Sequence, residues 1–492
     1  MTETAKKKRG MPSSFTILLA LLAIVAVITV IVSGTSGGAV TAARLSDFCT
    51  APILGFADAL PVCLFVMILG GFLGMMTETG ALDNGIAVLV QKLKGNEIML
   101  IPVLMLIFSL GGTTYGMCEE TVPFYALLAA TMMAAGFDPM VGAATVLLGA
   151  GCGCLGSTVN PFAVGAAVDA LTGVDIAVNQ SIIIGLGAVL WIVTTAMSIV
   201  FVMNYAKKVK ADKGSTILSM QELKDAEEAH GKAASEVHKE VKLTGRQKGV
   251  LIAFAFTFVV MIVGFIPLAD LNEGVANFFD AGAVYDADGN AVVQGWSALI
   301  TGLPIGQWYF DEASTWFFLM AILIGIIGGL SEKQIVNTFI TGAADMMSVV
   351  LVIALARGIS VLMANTGLDV FVLDAAANAL AGLSGVIFAP MSFLVYFGLS
   401  FLIPSTSGMA TVSMPIMGPL AVKLGFSPEV MVMIFSAAIG VVNLFTPTSG
   451  AIMGGLALAK IEWTTWLKFA LKLIVALSVV CAIILTVACV LL

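Results

Sequence analysis

Glu119 and Glu120 stand side by side in an otherwise apolar stretch, directly after Gly112-Thr113-Thr114-Tyr115-Gly116-Met117-Cys118. An ionisable side chain at the centre of a bilayer costs roughly 2.5–3.5 kcal/mol on insertion scales, and no basic residue lies near these two in sequence. A proton or a cationic group is the natural partner of such a pair. If the segment instead reaches cytoplasmic water, the two are ordinary solvated carboxylates. Arg357, within Ile353-Ala354-Leu355-Ala356-Arg357-Gly358, is the other charge inside an apolar run. A guanidinium offers two parallel hydrogen bonds to one carboxylate, so Arg357 suits a substrate carboxylate or a structural ion pair with Glu119, Glu120 or Asp345.

Hydroxyls and amides supply the rest of the chemistry, and they come in pairs. Gly112 to Met117 aligns with Pro404-Ser405-Thr406-Ser407-Gly408-Met409, and Pro123 then falls on Pro415 without a gap. Gly136-Phe137-Asp138-Pro139 answers Gly425-Phe426-Ser427-Pro428, and Ser157-Thr158-Val159-Asn160-Pro161 answers Asn443-Leu444-Phe445-Thr446-Pro447. At Glu119 and Glu120 the second copy has Thr411 and Val412. Paired Gly, Pro, Ser and Thr interruptions of apolar segments point to a solute site at the bilayer midplane, where freed carbonyls hold a cation and helix amino termini hold an anion. Thr113, Thr114, Asn160, Ser405, Thr406, Ser407, Asn443 and Thr446 are therefore the expected substrate groups beside Glu119, Glu120 and Arg357. Ser157, Thr158, Thr448 and Ser449 are the expected ligands of a coupling Na⁺, with H⁺ as the alternative ion. The plainer reading is that these small residues pack helices closely.

The elements that must hold such a site are legible from hydropathy. The 492 residues are 59% hydrophobic and 11% charged, with mean hydropathy +1.04, too few charges to cover a soluble surface. Windows long enough to cross ~30 Å of hydrocarbon fall near 15–33, 58–77, 139–171, 181–206, 249–267, 313–330, 346–364, 428–460 and 466–490. Two more, 97–135 and 386–424, carry polar tips and are expected to be re-entrant hairpins. The windows 139–171 and 428–460 are expected to be broken helices. Residues 207–248 are rich in Lys and should be cytoplasmic, whereas 268–312 contain no Lys or Arg and should face outward. The chain threads both loops correctly from a cytoplasmic amino terminus marked by Lys6-Lys7-Lys8-Arg9, places Lys92 and Lys94 inside, and ends outside the cell membrane. The first repeat then covers 1–206, the linker 207–248, a connecting span and outer loop 249–312, and the second repeat 313–492. An odd crossing between them makes the repeats inverted. The fold class expected is an all-α polytopic membrane protein of about nine spans and two hairpins.

Several functions have no support. Seven cysteines show no disulfide framework, and Cys152-Gly153-Cys154 lies far in sequence from His230 and His238, so packing is a better account of it than metal. No zinc-protease helix, nucleotide loop or nucleophile elbow is present. Nucleic acid is not an expected partner, and neither an enzyme activity nor a cofactor is expected. An ion channel would need a continuous pore. The linker helix at Gln221 to His238 reads as a solvated connector, and Gly70-Gly71 with Gly74 as a helix contact.

From Gly112 to Tyr125, with Ala356-Arg357-Gly358-Ile359 and Pro404-Ser405-Thr406-Ser407-Gly408, the chain resembles the YfcC-like branch of the C4-dicarboxylate anaerobic carrier family, within the ion transporter superfamily. The resemblance implies a dimeric elevator transporter, in which hairpins and broken helices carry substrate past a fixed scaffold. For this branch it implies exchange of basic amino acids of the arginine and ornithine type. Dicarboxylate relatives often carry Ser-Asn-Thr at the tips, where this chain has Gly-Thr-Thr and Pro-Ser-Thr-Ser. The expected function is secondary active transport of an amino acid, most simply a cationic one. The alternative cargo is a C4-dicarboxylate or short-chain carboxylate, with the glutamates in proton coupling.

Overall fold

A computed structural model describes residues 14–82, 84–85, 88, 96–236, 242–266, 268–271, 273–286, 291–403 and 405–492. The basic stretch Lys6 to Arg9, Lys92, Lys94, His238 and Pro404 lie outside the described residues.

Apolar runs without internal charge form the long helices. Among the described residues, eight are long and apolar enough to cross a membrane. Seven coincide with windows read from hydropathy or contain them: α1 (Ser14–Ser33), α3 (Leu60–Glu78), α8 (Gln180–Ala211), α10 (Gly245–Phe265), α13 (Phe310–Gly328), α15 (Met347–Thr366) and α21 (Trp463–Leu491). The eighth is the run Glu97–Tyr115, the first arm of the first expected hairpin. Each of the remaining windows is two shorter helices. The first hairpin window holds α4 (Leu100–Tyr115) and α5 (Val122–Ala134), followed by α6 (Pro139–Leu155), a π-helical turn Pro161–Gly165 and α7 (Ala166–Thr172). Their counterparts are α17 (Gly385–Leu402), α18 (Thr406–Lys423), α19 (Pro428–Val442) and α20 (Gly450–Leu458). Shorter helices complete the frame: α2 (Leu45–Asp58), α9 (Met220–Glu236), α11 (Leu268–Leu271), α12 (Glu273–Phe279), α14 (Glu332–Asp345) and α16 (Leu368–Leu380).

One element departs from an all-α reading. Val284–Tyr285 pairs antiparallel with Ala291–Val293 in the Lys- and Arg-free loop, a ribbon too short for hydropathy to signal.

Helix packing is reciprocal. α2 lies against α15 while α14 lies against α3, and α1 rests on α15 while α13 rests on α3. Facing glycines make these crossings close. A Cβ on Gly55 would collide with the backbone of Gly358, and one on Gly342 with the backbone of Gly70. Close backbone approach through small residues is how helices gain contact in lipid, where apolar burial gives little drive. The second arm of each hairpin packs on the far half of the other broken helix, α5 on α20 and α18 on α7, and α6 meets α19 between them.

The linker helix is not the solvated connector that its charge suggests. α9 docks on α5, with Ala226 fully buried and Glu222 and His230 under a tenth exposed. Glu222 Oε1 accepts the Glu462 amide at 2.9 Å, and His230 Nε2 lies 3.1 Å from the Leu458 carbonyl. Ahead of it, Thr216 donates to Asp138 at 2.7 Å and Lys210 pairs with Glu97 at 2.7 Å. The acidic and amide groups that hold it are scattered along the chain, so no local pattern reveals the dock.

Candidate functional site

The helix breaks converge on one cavity of ≈ 170 Å³. Glu119, Glu120, Asn160, Arg357, Ser405, Thr406, Ser407, Asn443, Thr448 and Ser449 all line it. Thr113, Thr114, Thr446, Ser157 and Thr158 do not.

That division follows from how each tip is built. α4 ends on Gly116, whose φ of +79° closes the helix in the left-handed conformation. Glycine adopts this without the Cβ penalty, and a Cβ there would also sit 2.5 Å from Asn160 Oδ1. Thr113 and Thr114 thus fall on the last turn of the first arm. Thr114 donates back to Leu110 at 2.7 Å. Thr113, 1% exposed, donates to the Gly156 carbonyl at 2.7 Å, and its own carbonyl accepts Thr158 N at 2.9 Å and Thr158 Oγ1 at 3.0 Å. These bonds satisfy polar backbone that α4 and α6 leave free, sewing the tip to the break.

In the second hairpin the interruption lies ahead of the hydroxyls. α17 ends at Leu402 and α18 starts at Thr406, with Ser405 Oγ capping Gly408 N at 3.1 Å. Gly408 is helical where its sequence partner Gly116 is a helix stop. The aligned motifs therefore present opposite helix ends: a carboxyl end carrying Thr113 and Thr114, and an amino end carrying Ser405, Thr406 and Ser407. The alignment is blind to that difference because both tips use the same residue types.

After Gly116 the chain turns through Cys118 into a 3₁₀ turn at Glu119–Thr121. Glu120, 1% exposed, accepts the Cys118 amide at 2.9 Å. Glu119, half-buried, lines the cavity with Glu120, and among the described residues no Lys, Arg or His nitrogen comes within ion-pair distance of either glutamate.

The breaks differ in the same way. Asn160 Oδ1 accepts Phe162 N at 2.9 Å and Ala163 N at 3.3 Å, and its Nδ2 donates to Ser157 Oγ at 2.9 Å. Ser157 in turn donates to the Cys154 carbonyl at 2.6 Å. Asn160 thus caps the π-helical turn and keeps one amide hydrogen for the cavity. Thr446 and Thr448 share a hydrogen bond at 2.7 Å. Asn443 and Ser449 line the cavity, Ser449 as the N-cap residue just ahead of α20. Of the four expected Na⁺ ligands, Thr448 and Ser449 reach the cavity, and Ser157 and Thr158 serve the first break.

Arg357 pairs with a residue that sequence reading passed over. Its Nε lies 2.7 Å from Asp58 Oδ2, and neither Glu119, Glu120 nor Asp345 takes that place. Asp58 sits at the edge of an apolar window and reads as its border, so only the crossing of α2 and α15 brings the two together. Around the site, carboxylates outnumber guanidinium three to one, counting Asp58, Glu119 and Glu120 against Arg357.

Apolar helices of membrane-crossing length, gathered about interrupted helices and a charged, hydroxyl-lined cavity, define a multi-pass membrane protein of the transporter class. The chain belongs to the family described as C4-dicarboxylate anaerobic carrier, DcuC, which matches residues 40–490. It is similar to an uncharacterized protein of Haemophilus influenzae, 29% identical over 445 residues, 90% of this chain and 78% of that one. It is also similar to the Escherichia coli protein named "Putative basic amino acid antiporter YfcC", 27% identical over 440 residues, 87% of this chain and 77% of that one. Solved structures similar over nearly the whole chain are MtrF of Neisseria gonorrhoeae, described with antimetabolite efflux pumps (16% identity, 98% of this chain and 96% of that one, TM-score 0.45), and the YdaH transporter of Alcanivorax borkumensis (15% identity, 97% and 98%, TM-score 0.46).

Proposed function

We propose that the chain moves a basic amino acid across the cytoplasmic membrane by secondary active transport, as an exchanger of the arginine and ornithine type. One observation carries this reading: Glu119 and Glu120 line the cavity with no basic nitrogen at ion-pair distance among the described residues, while Arg357 is paired with Asp58. A cationic side chain supplies the missing charge at Glu119 and Glu120. The α-carboxylate is taken by the amino ends of α18 and α20, at Ser405 to Ser407 and Ser449, with Asn443 beside them. Na⁺ at Thr448 and Ser449, or H⁺ at the glutamates, is the coupling ion if exchange is not obligatory.

The two halves work as inverted repeats in an elevator, as a homodimer. The reciprocal packing of α2 on α15 and α14 on α3 supports the repeats. So do contacts between positions that the threading assigns to one side. The linker touches Glu97, Asp138, Leu458 and Glu462, all assigned to the cytoplasm. Asn179 and Glu429, both assigned outside, are joined by a 2.7 Å hydrogen bond. The amino terminus is then cytoplasmic and the carboxyl terminus external.

Helix amino ends at the cavity favour a second cargo, a C4-dicarboxylate or short-chain carboxylate, as the family description says of the family. Uptake of labelled arginine into proteoliposomes preloaded with ornithine separates the two. Competition by excess lysine or ornithine supports a basic amino acid. Competition by succinate alone removes that reading.

A further inference from the structure

A second cavity of ≈ 250 Å³ lies behind the second break. α1 forms one wall, where Leu21, Ile24 and Ile28 recur at three- and four-residue spacing on one helix face. The opposite wall comes from Phe401 near the end of α17, Phe445 in the break and Trp463 at the start of α21. The polar atoms of this lining are spent on the protein itself. Trp463 Nε1 donates to the Phe445 carbonyl at 2.7 Å, and Thr448 Oγ1 is shared with Thr446 at 2.7 Å. A water needs two to four polar partners to be held in a cavity, so the space suits hydrocarbon and not water.

Its mouth faces the right solvent for that. Leu21 to Ile28 are the middle of a 20-residue helix without a single charge, the part of such a helix that lies deepest in the bilayer. Ile24 is 53% exposed, and Val27 and Ile31 beyond it along the helix continue the bare apolar face, whereas Val25, which also lines the cavity, is 3% exposed. The lipid-facing surface of α1 thus runs without interruption into the cavity. We propose that one acyl chain of a bilayer phospholipid enters past Ile24 and fills the space between α1, α17 and α21. Thr448 lines both cavities, so the acyl chain abuts the segment that forms one wall of the polar site.

The probe is phosphatidylcholine brominated along its acyl chains, which quenches tryptophan fluorescence on contact. The full chain is reconstituted in vesicles of this lipid beside a Trp463→Phe variant, and the difference isolates one of the six tryptophans. The expected result is at least twofold quenching of the Trp463 share relative to unbrominated lipid. Val25→Phe, which places a ring in the cavity, is expected to relieve at least half of that quenching and to leave the other tryptophans unchanged. Ile24→Phe, at the exposed mouth where an added ring disturbs the fold least, gives the same relief if Val25→Phe does not fold. An unquenched Trp463 overturns the proposal, as does quenching that a folded variant leaves intact, the signature of surface lipid only. Quenching that appears only after dilution to monomers also overturns it, and assigns the cavity to a second copy of the chain.

Discussion

Arg357 Nε lies 2.7 Å from Asp58 Oδ2, and a helix crossing sets that contact. Gly55 and Gly358 let α2 and α15 touch backbone to backbone, and Asp58, one turn beyond Gly55, arrives beside the guanidinium. With side chains 25% and 51% exposed, the pair contributes at most about 1 kcal/mol to stability. Its weight falls on the charge of the cavity. Asp58→Asn is expected to free the guanidinium, weakening arginine binding roughly 3–10-fold and strengthening succinate binding, the span of about 0.7–1.4 kcal/mol. Arg357→Gln placed on top should return arginine affinity toward wild type. Isothermal titration on the four proteins checks this, and additive effects of the two changes would deny the coupling.

The two glutamates separate by their partners. Glu120 accepts the Cys118 amide and is buried, so it shapes the tip; Glu119 lines the same cavity but is only half-buried. Glu119→Gln should abolish arginine uptake in a protein whose melting temperature is unchanged within a degree or so. Glu120→Ala should lower the stability by about 1–3 kcal/mol, the usual cost of orphaning a buried donor. If Glu119→Gln transports arginine at the wild-type rate, the assignment of the cationic group fails.

How far the sequence reaches is visible at these tips. Gly116, Pro161 and Ser405 mark interruptions that the described helices respect, because glycine, proline and capping serine act within a few residues of themselves. What lay beyond reach was which helix end each tip presents. Thr113 and Ser405 are chemically alike and occupy aligned positions, yet one terminates an arm and the other begins one. Asp58 and the docking of α9 were hidden for a different reason. Both depend on partners far apart in the chain, Asp58 with Arg357 and Glu222 with the Glu462 amide, and neither leaves a local pattern.

Gly116 and Thr113 test the first tip directly. Gly116→Ala asks an alanine to hold φ at +79° against Asn160, which should cost at least 1–2 kcal/mol, roughly the left-handed penalty alone. Thr113→Val removes the donor to Gly156 and should cost about 1–3 kcal/mol, whereas Thr113→Ser keeps it. Thermal unfolding in detergent ranks the three. If Thr113→Val is as stable as wild type but needs more Na⁺ for uptake, Thr113 belongs to an ion site and the stitch is secondary.

His230 makes the linker dock responsive to pH. The Leu458 carbonyl can only accept, so the Nε2 facing it at 3.1 Å carries the proton of the neutral ring. Burial, countered in part by that carbonyl and reinforced by Lys460, holds the imidazole below its ordinary pKa. An undocked ring therefore takes up a proton more readily than a docked one, so docking is complete above the ordinary imidazole value of about 6.5 and weakens as pH falls through it toward the lower docked value. Hydrogen exchange, corrected for intrinsic rates, should show the amides of α9 less protected at pH 5.5 than at 7.5, by roughly 3–10-fold. His230→Gln retains an uncharged donor toward Leu458 and should hold the helix equally at both values. A variant that loosens with acid as the wild type does would show that His230 is not the switch.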